Sequence, residues 1–367
     1  MYKLTKPHIT EQAIEEVVKV LKSGNLVQGQ KVAEFEAEIS KYIGTKHAIC
    51  VSSGTAALHL SLIALGIGQG DEVIVPAFTF PATANVVEVV GAKTVLVDIN
   101  LNDFSINADK IEQKITKNTK AIIPVHEFGQ AAEIDKIQEI AQKYNLKIIE
   151  DAACAFGTEY KWEKVGNFGH LACFSFHPRK AITTGEGGVV VTNSDELADK
   201  IRALRNHGIV YHNDKPDFIY AGLNYRMTDF QAVLGLQQLK DIENDIKHRL
   251  QLVRIYDVEL HDNSSIIKIP FHLFDTFNVY QTYHIFFIDK KIDRNQIIRK
   301  LKEKDVETNY GAQALNCLTY YQQKYGYKAE DFPVATSCYN YGLALPMGRH
   351  LTQQDVREIC KIILETI

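Results

Sequence analysis

From residue 48 to residue 151, short β-type runs recur with helical patterns between them, and few folds accept that order. The β-type runs fall at residues 48–51, 72–76, 93–97, 121–125 and 146–149, and helical spacing of apolar residues marks 58–65, 82–90 and 134–144. Strands joined through helices run the same way, because a crossover returns the chain to the edge it started from. The expected fold class is therefore α/β: a mostly parallel central sheet flanked by helices on both faces.

Residues 174–188 read FSFHPRKAITTGEGG. An apolar run at 171–176 ends in Ser175-Phe176-His177-Pro178, Lys180 follows, and the turn Gly185-Glu186-Gly187-Gly188 leads into a second β run at 189–192. A lysine so placed sits at the buried end of a strand. Desolvation lowers the pKa of an amine and makes it a nucleophile able to form a Schiff base with an aldehyde. A lone loop lysine is ordinarily a solvated surface group, so the reading rests on the company Lys180 keeps upstream. There Asp151 stands at the carboxyl end of a β run, where open α/β sheets place ligands. Alone it would read as a helix N-cap, because small residues follow. An Asp in this place can hold the protonated ring nitrogen of pyridoxal 5′-phosphate, an ion pair that lets the ring act as an electron sink.

With SFHPRK and GEGG at this spacing from Asp151, the chain resembles the DegT/DnrJ/EryC1/StrS family of fold-type I pyridoxal-phosphate sugar aminotransferases over nearly its whole length. The resemblance implies a large cofactor-binding domain at 1–243 and a smaller C-terminal α+β domain at 244–367. It implies Lys180 as the lysine that takes the cofactor and Asp151 as the partner of its ring nitrogen. In SSGTAA it gives Gly54, Thr55 and Ala56 to the cofactor phosphate, a role that suits the free N–H groups and dipole of a helix start. Ser175 joins them, Phe80 stacks on the ring, and Cys154 lies near its phenolic oxygen. Asn224, in the run NYRM, reaches the neighbour's phosphate across a homodimer with shared active sites. Glutamate is the implied amino donor and a nucleotide-linked keto-deoxy sugar the acceptor, giving an amino sugar for cell-surface glycan or secondary-metabolite synthesis. Segments 24–29 and 307–313 are implied to border the substrate. Three positions depart from the family pattern: Cys154 stands where many members have Gln or His, Asn316 where relatives often have His, and Asp305 at a common loop glycine.

Other functions fit less well. A dehydratase on the same scaffold replaces the lysine with His, and this chain keeps Lys180. A cofactor-binding regulator would be favoured by a helix-turn-helix ahead of the catalytic pattern, which is not found. The run Gly66-Ile67-Gly68-Gln69-Gly70 follows a helix and precedes a strand, the reverse of a dinucleotide fingerprint, and reads as a helix stop. A net charge of −4 without a long basic run gives no expectation of nucleic acid or an anionic membrane. The six scattered cysteines show no metal-type spacing, and with no signal-like or membrane-spanning run they read as reduced thiols of a cytoplasmic protein.

The remaining chain supplies scaffold. Thr10 is the expected N-cap of a helix within 7–26, a second helix spans 32–43, and Thr228 caps a long helix. Residues 211–225 read as irregular and aromatic. Beyond them lie a helix to about 260, an alternating strand at 284–288, a helix at 294–302, a tyrosine-rich loop, and helices at 332–341 and 353–363.

Overall fold

The computed structural model describes residues 1–271 and 273–367. The main sheet uses β1 (His47–Val51), β2 (Glu72–Pro76), β3 (Lys93–Val97), β4 (Thr119–Ile122), β5 (Lys147–Asp151), β6 (Leu171–Ser175) and β7 (Gly188–Thr192). Its order is β1-β7-β6-β5-β4-β2-β3, and all neighbours are parallel except β7, which runs against both β1 and β6. The expected fold class is thus present. The glycine turn before β7 is what lets the chain reverse direct from the Lys180 segment back into the sheet.

Helices α1 (Glu11–Ser23), α2 (Gln30–Ile43), α3 (Gly54–Ala64), α4 (Ala82–Val89), α5 (Ile134–Tyr144), α6 (Asp195–Arg205) and α7 (Asp229–Leu239) accompany this sheet. Two apolar layers cover its faces: α3 and α4 with Leu60, Leu62 and Val87 on one, and Phe35, Ile39 and Phe174 among those on the other. The caps fall where the side chains predict. Thr10 Oγ1 accepts from Ala13 N–H at 3.2 Å, and Thr228 with Gln231 closes a capping box on α7.

After α8 (Ile242–His261) come α9 (Arg294–Glu303), α10 (Thr319–Tyr325), α11 (Pro333–Tyr341) and α12 (Gln353–Leu364). An antiparallel sheet of β8 (Ile267–Lys268), β9 (Tyr283–Phe287) and β10 (Gly342–Leu345) packs with α8, α9 and α12 around Tyr256, Tyr283, Leu301 and Ile359. The C-terminal part does not stand apart. Leu315, Tyr321, Phe332 and Ala335 join the same apolar cluster as α3 and β2, and Gln313–Ala314 pairs with Phe78–Thr79. The Asp98 carboxylate accepts from the N–H groups of Val334 (3.3 Å) and Ala335 (2.9 Å), fixing the start of α11 to the end of β3.

Some local expectations are corrected. The strand near 284–288 is not alternating: all of Tyr283–Phe287 is buried, because β9 is the middle strand and is covered on both faces. The tyrosine-rich loop contains α10. The irregular stretch after 210 contains a hairpin, Ile209–His212 against Lys215–Phe218, whose Asn213 and Asp214 both take positive φ in the turn. Asp305 stands at φ 61°, the left-handed conformation that explains a glycine at such a position.

Candidate active site

Because β1, β2, β5 and β6 point the same way, their carboxyl ends open on one edge of the sheet, and β7 begins there. The segments leaving that edge line a cavity of about 220 Å³: Gly54 and Thr55 after β1, Thr79 and Phe80 after β2, Glu127 after β4, Asp151 and Cys154 after β5, Ser175 and Lys180 after β6. Asn309, Gly311, Ala312, Leu345 and Met347 close it from the C-terminal part. Of the two segments expected to border substrate, 307–313 therefore contributes to this cavity. Segment 24–29 lies elsewhere in the chain's surface, its Gly29 N–H donating to Asp229 at 2.8 Å.

Asp151 is the last residue of β5 and is 4 % exposed. Its Oδ2 accepts from Thr83 Oγ1 at 2.7 Å and its Oδ1 from Ala153 N–H at 3.2 Å, so the carboxylate is held from two sides. Burial pushes its pKa up, opposed by those hydrogen bonds and by Lys180. A carboxylate in that condition gains most from a cationic ligand group. Lys180 Nζ donates to Cys154 Sγ at 2.9 Å, and burial raises the Cys154 pKa so that the thiol stays neutral. The lysine thus reaches the cavity with an uncharged immediate neighbour.

Ser53 caps α3, taking the Ala56 N–H at 3.0 Å, while Gly54 and Thr55 line the cavity ahead of it. Of the three residues expected at the phosphate, Gly54 and Thr55 are at the wall, and Ala56 is buried behind them with its N–H engaged. Gly54 has a steric reason. A Cβ built there would lie 2.8 Å from Ser175 Cβ, so only glycine lets the helix start approach the end of β6. Gly188 is similar: its Cβ would lie 2.5 Å from the Ser53 carbonyl. The result is a cradle of first-turn N–H groups beside the Ser175 hydroxyl, suited to an anion.

Phe80 stands at the cavity wall and is 61 % exposed, an apolar face free to cover a planar ring. Asn224 does not line this cavity. It is exposed, in a loop tied to the α3 start by Ser52 N–H to Tyr225 C=O at 2.8 Å. Asn316 is fully buried, its amide donating to Lys328 C=O and Thr336 Oγ1, which occupies it structurally.

Thr83, Thr79 and Glu127 are cavity groups that the sequence reading passed over. The signal for Glu127 was present in Pro124-Val125-His126-Glu127: a charge directly after a buried run, at the sheet edge where ligands sit.

An anion cradle, a buried carboxylate and a lysine along one cavity at the strand ends fit pyridoxal 5′-phosphate, and with this sheet they define a fold-type I aminotransferase that uses it. The sequence profile described as the DegT/DnrJ/EryC1/StrS aminotransferase family matches residues 7–364. The spore coat polysaccharide biosynthesis protein SpsC of Bacillus subtilis is 37% identical, over 98% of this chain and 96% of its own. The GDP-perosamine synthase of Caulobacter vibrioides is 39% identical, over 90% of this chain and 88% of its own. Among solved structures, the putative sugar aminotransferase Spr1654 of Streptococcus pneumoniae in its PMP-form superposes with a TM-score of 0.94 at 30% identity, covering 99% of this chain and 97% of that one. The chain belongs to the DegT/DnrJ/EryC1/StrS aminotransferase family.

Proposed function

We propose that this protein moves an amino group from glutamate to a nucleotide-linked keto-deoxy sugar, giving an amino sugar for cell-surface glycan or secondary-metabolite synthesis. The observation that carries the reading is Lys180 Nζ, 2.9 Å from Cys154 Sγ, in the cavity that Asp151 floors and the α3 start closes. The relatives support the substrate class, since GDP-perosamine synthase is named for a nucleotide-linked sugar.

When bound, pyridoxal 5′-phosphate supplies an aldehyde that takes up amines and a ring that accepts an electron pair. The chain's residues divide the remaining work. Asp151 holds a proton on the ring nitrogen and keeps the ring cationic. Lys180 would serve as the acid–base group, taking a proton from the donor's α-carbon and, in the second half-reaction, giving one to the sugar carbon. The Gly54 and Thr55 N–H groups and the Ser175 hydroxyl hold the phosphate, with Ala56 behind them, and Phe80 covers the ring. Cys154 stands beside the lysine, its Sγ 2.9 Å from Lys180 Nζ, and would lie near the phenolic oxygen as the family resemblance implies. Asn224 serves the phosphate of the partner subunit, so the active unit is a homodimer with shared sites, working in the cytoplasm. Residues 1–243 form the cofactor domain of this reading and 244–367 the smaller one. Among the described residues no helix is long and apolar enough to cross a membrane.

The test is a panel of nucleotide-linked 3-keto and 4-keto sugars supplied with glutamate. One member should give an amino sugar and 2-oxoglutarate in equal amounts, and no turnover across the panel would reject the substrate class. Borohydride reduction and peptide mapping should place the cofactor on Lys180, and label on another lysine would reject that assignment.

A further inference from the structure

Glu127 is a buried carboxylate at the cavity wall. His126 N–H donates to Asp151 C=O at 3.0 Å, so Glu127 leaves the sheet edge beside the end of β5. Both of its neighbours are pinned. The His126 ring accepts from Ala132 N–H at Nδ1 (3.1 Å), so its Nε2–H is the donor to buried Glu150 at 3.0 Å. Phe128, at φ 56°, stacks on His284 with ring centroids 4.4 Å apart. The side chain between them is directed to the cavity wall, where Glu127 is 5 % exposed.

There the Thr79 hydroxyl and the Phe128 N–H favour its ionised form against the effect of burial. Thr79 Oγ1 lies 3.1 Å from Thr83 Oγ1, the hydroxyl that donates to Asp151. The titratable groups that face Glu127 are Lys180, Asp151 and Cys154, and His177, Arg179 and Glu186 also line the cavity. A buried carboxylate is costly unless charge or hydrogen bonds compensate it, and such groups cluster where chemistry uses them.

We propose that Glu127 is the charge partner of the Lys180 nitrogen, a second carboxylate that favours a proton on that nitrogen once it is joined to the cofactor. The proposal rests on Lys180 being the lysine that takes the cofactor. Cys154, being neutral, supplies no charge there, and Asp151 is committed to the ring nitrogen. When ionised, Glu127 beside the linkage favours its cationic form, the one open to attack by an incoming amine. No bond forms or breaks at Glu127; the proton stays on the lysine nitrogen and Glu127 supplies the field.

The test follows the visible absorbance of the resting holoenzyme against pH, since the lysine-linked cofactor changes colour when its nitrogen loses the proton. In Glu127→Gln the midpoint should fall by about one pH unit, a tenfold loss in proton affinity. Glu127→Asp, which keeps the charge but withdraws it by a methylene, should move it down by less. Circular dichroism and bound-cofactor content confirm folding, and should Glu127→Gln not fold, the smaller fall in Glu127→Asp carries the test. A band lost in Lys180→Ala but unmoved in pH by the Glu127 substitutions overturns this proposal alone. A band that survives Lys180→Ala with its titration intact overturns the lysine assignment and the proposal together.

Discussion

Asp151 is worth most to the protein when a cation faces it. Its two acceptor bonds fix its direction, while burial works against its charge. Asp151→Asn keeps the shape and the Thr83 contact but cannot hold a cationic ring nitrogen. That substitution should lower kcat by several orders of magnitude with a smaller change in KM, because the lost interaction matters mainly in the transition state. Near-normal turnover in the purified variant would remove Asp151 from the chemistry. Glu127 allows a second measurement, on cofactor-free protein. Its pKa is raised to about 7 from 4.5, first by burial, with Asp151 adding to it and Lys180 opposing. The folded chain therefore binds this proton more tightly than the unfolded chain. The stabilisation is complete below the unfolded value and is lost as pH rises through the folded value, on the order of 3 kcal/mol in all. Urea unfolding of the apo protein from pH 4.5 to 8 should show that fall, and Glu127→Gln should flatten it. A variant with the same slope as wild type would show that Glu127 titrates alike in both states.

At the scale of elements, the site is made by what strands and helices do at one edge, and close approach is its tightest condition. Gly54→Ala must part the α3 start from Ser175, since the two Cβ atoms cannot stand 2.8 Å apart. We expect the fold to persist with about 1–3 kcal/mol less stability, the usual cost of overpacking, and the affinity for the cofactor phosphate to weaken as the cradle opens. Equilibrium dialysis measures it, and unchanged retention would mean that the helix start does not bear on the phosphate. The same edge explains how far the sequence could be read. Strand–helix alternation announced the parallel sheet, and the carboxyl end of the KIIED run gave Asp151 its place, because both depend on local periodicity alone. Periodicity failed at β9, where one strand is covered by helices far along the chain, and at α10, where aromatic residues hide a short helix whose support is tertiary. Thr83 and Glu127 were missed for a related reason. A threonine on a helix acquires meaning only when the β2 and β5 ends are set side by side, and the glutamate after a strand, though marked by its place, is brought to Lys180 only by the same assembly.

The whole molecule poses the last question, because one chain leaves Asn224 outside its own cavity. The loop bearing Asn224 is fastened on one side to Ser52 and on the other to α6, through Leu223 N–H to Leu204 C=O and Tyr225 N–H to Arg205 C=O. Its fixed backbone presents the Asn224 side chain to solvent beside the start of α3. Close by in the chain, the hairpin and the residues after it expose Tyr211, Phe218, Ile219 and Tyr220. An exposed aromatic group of this kind next to a fixed polar loop suits an interface. In a two-fold dimer each patch is used twice, so a residue that crosses serves both sites. Asn224→Asp would then place a negative charge against the neighbour's phosphate and weaken cofactor retention. A loss of activity in that variant alone would not locate the contact, so complementation decides. Inactive Lys180→Ala and inactive Asn224→Asp subunits are mixed and allowed to exchange. Each hybrid dimer has one site carrying both defects and one carrying neither, so activity should return in part, while either variant alone stays inactive. Exchange demonstrated by tagged subunits without any return of activity would show that Asn224 does not act across an interface.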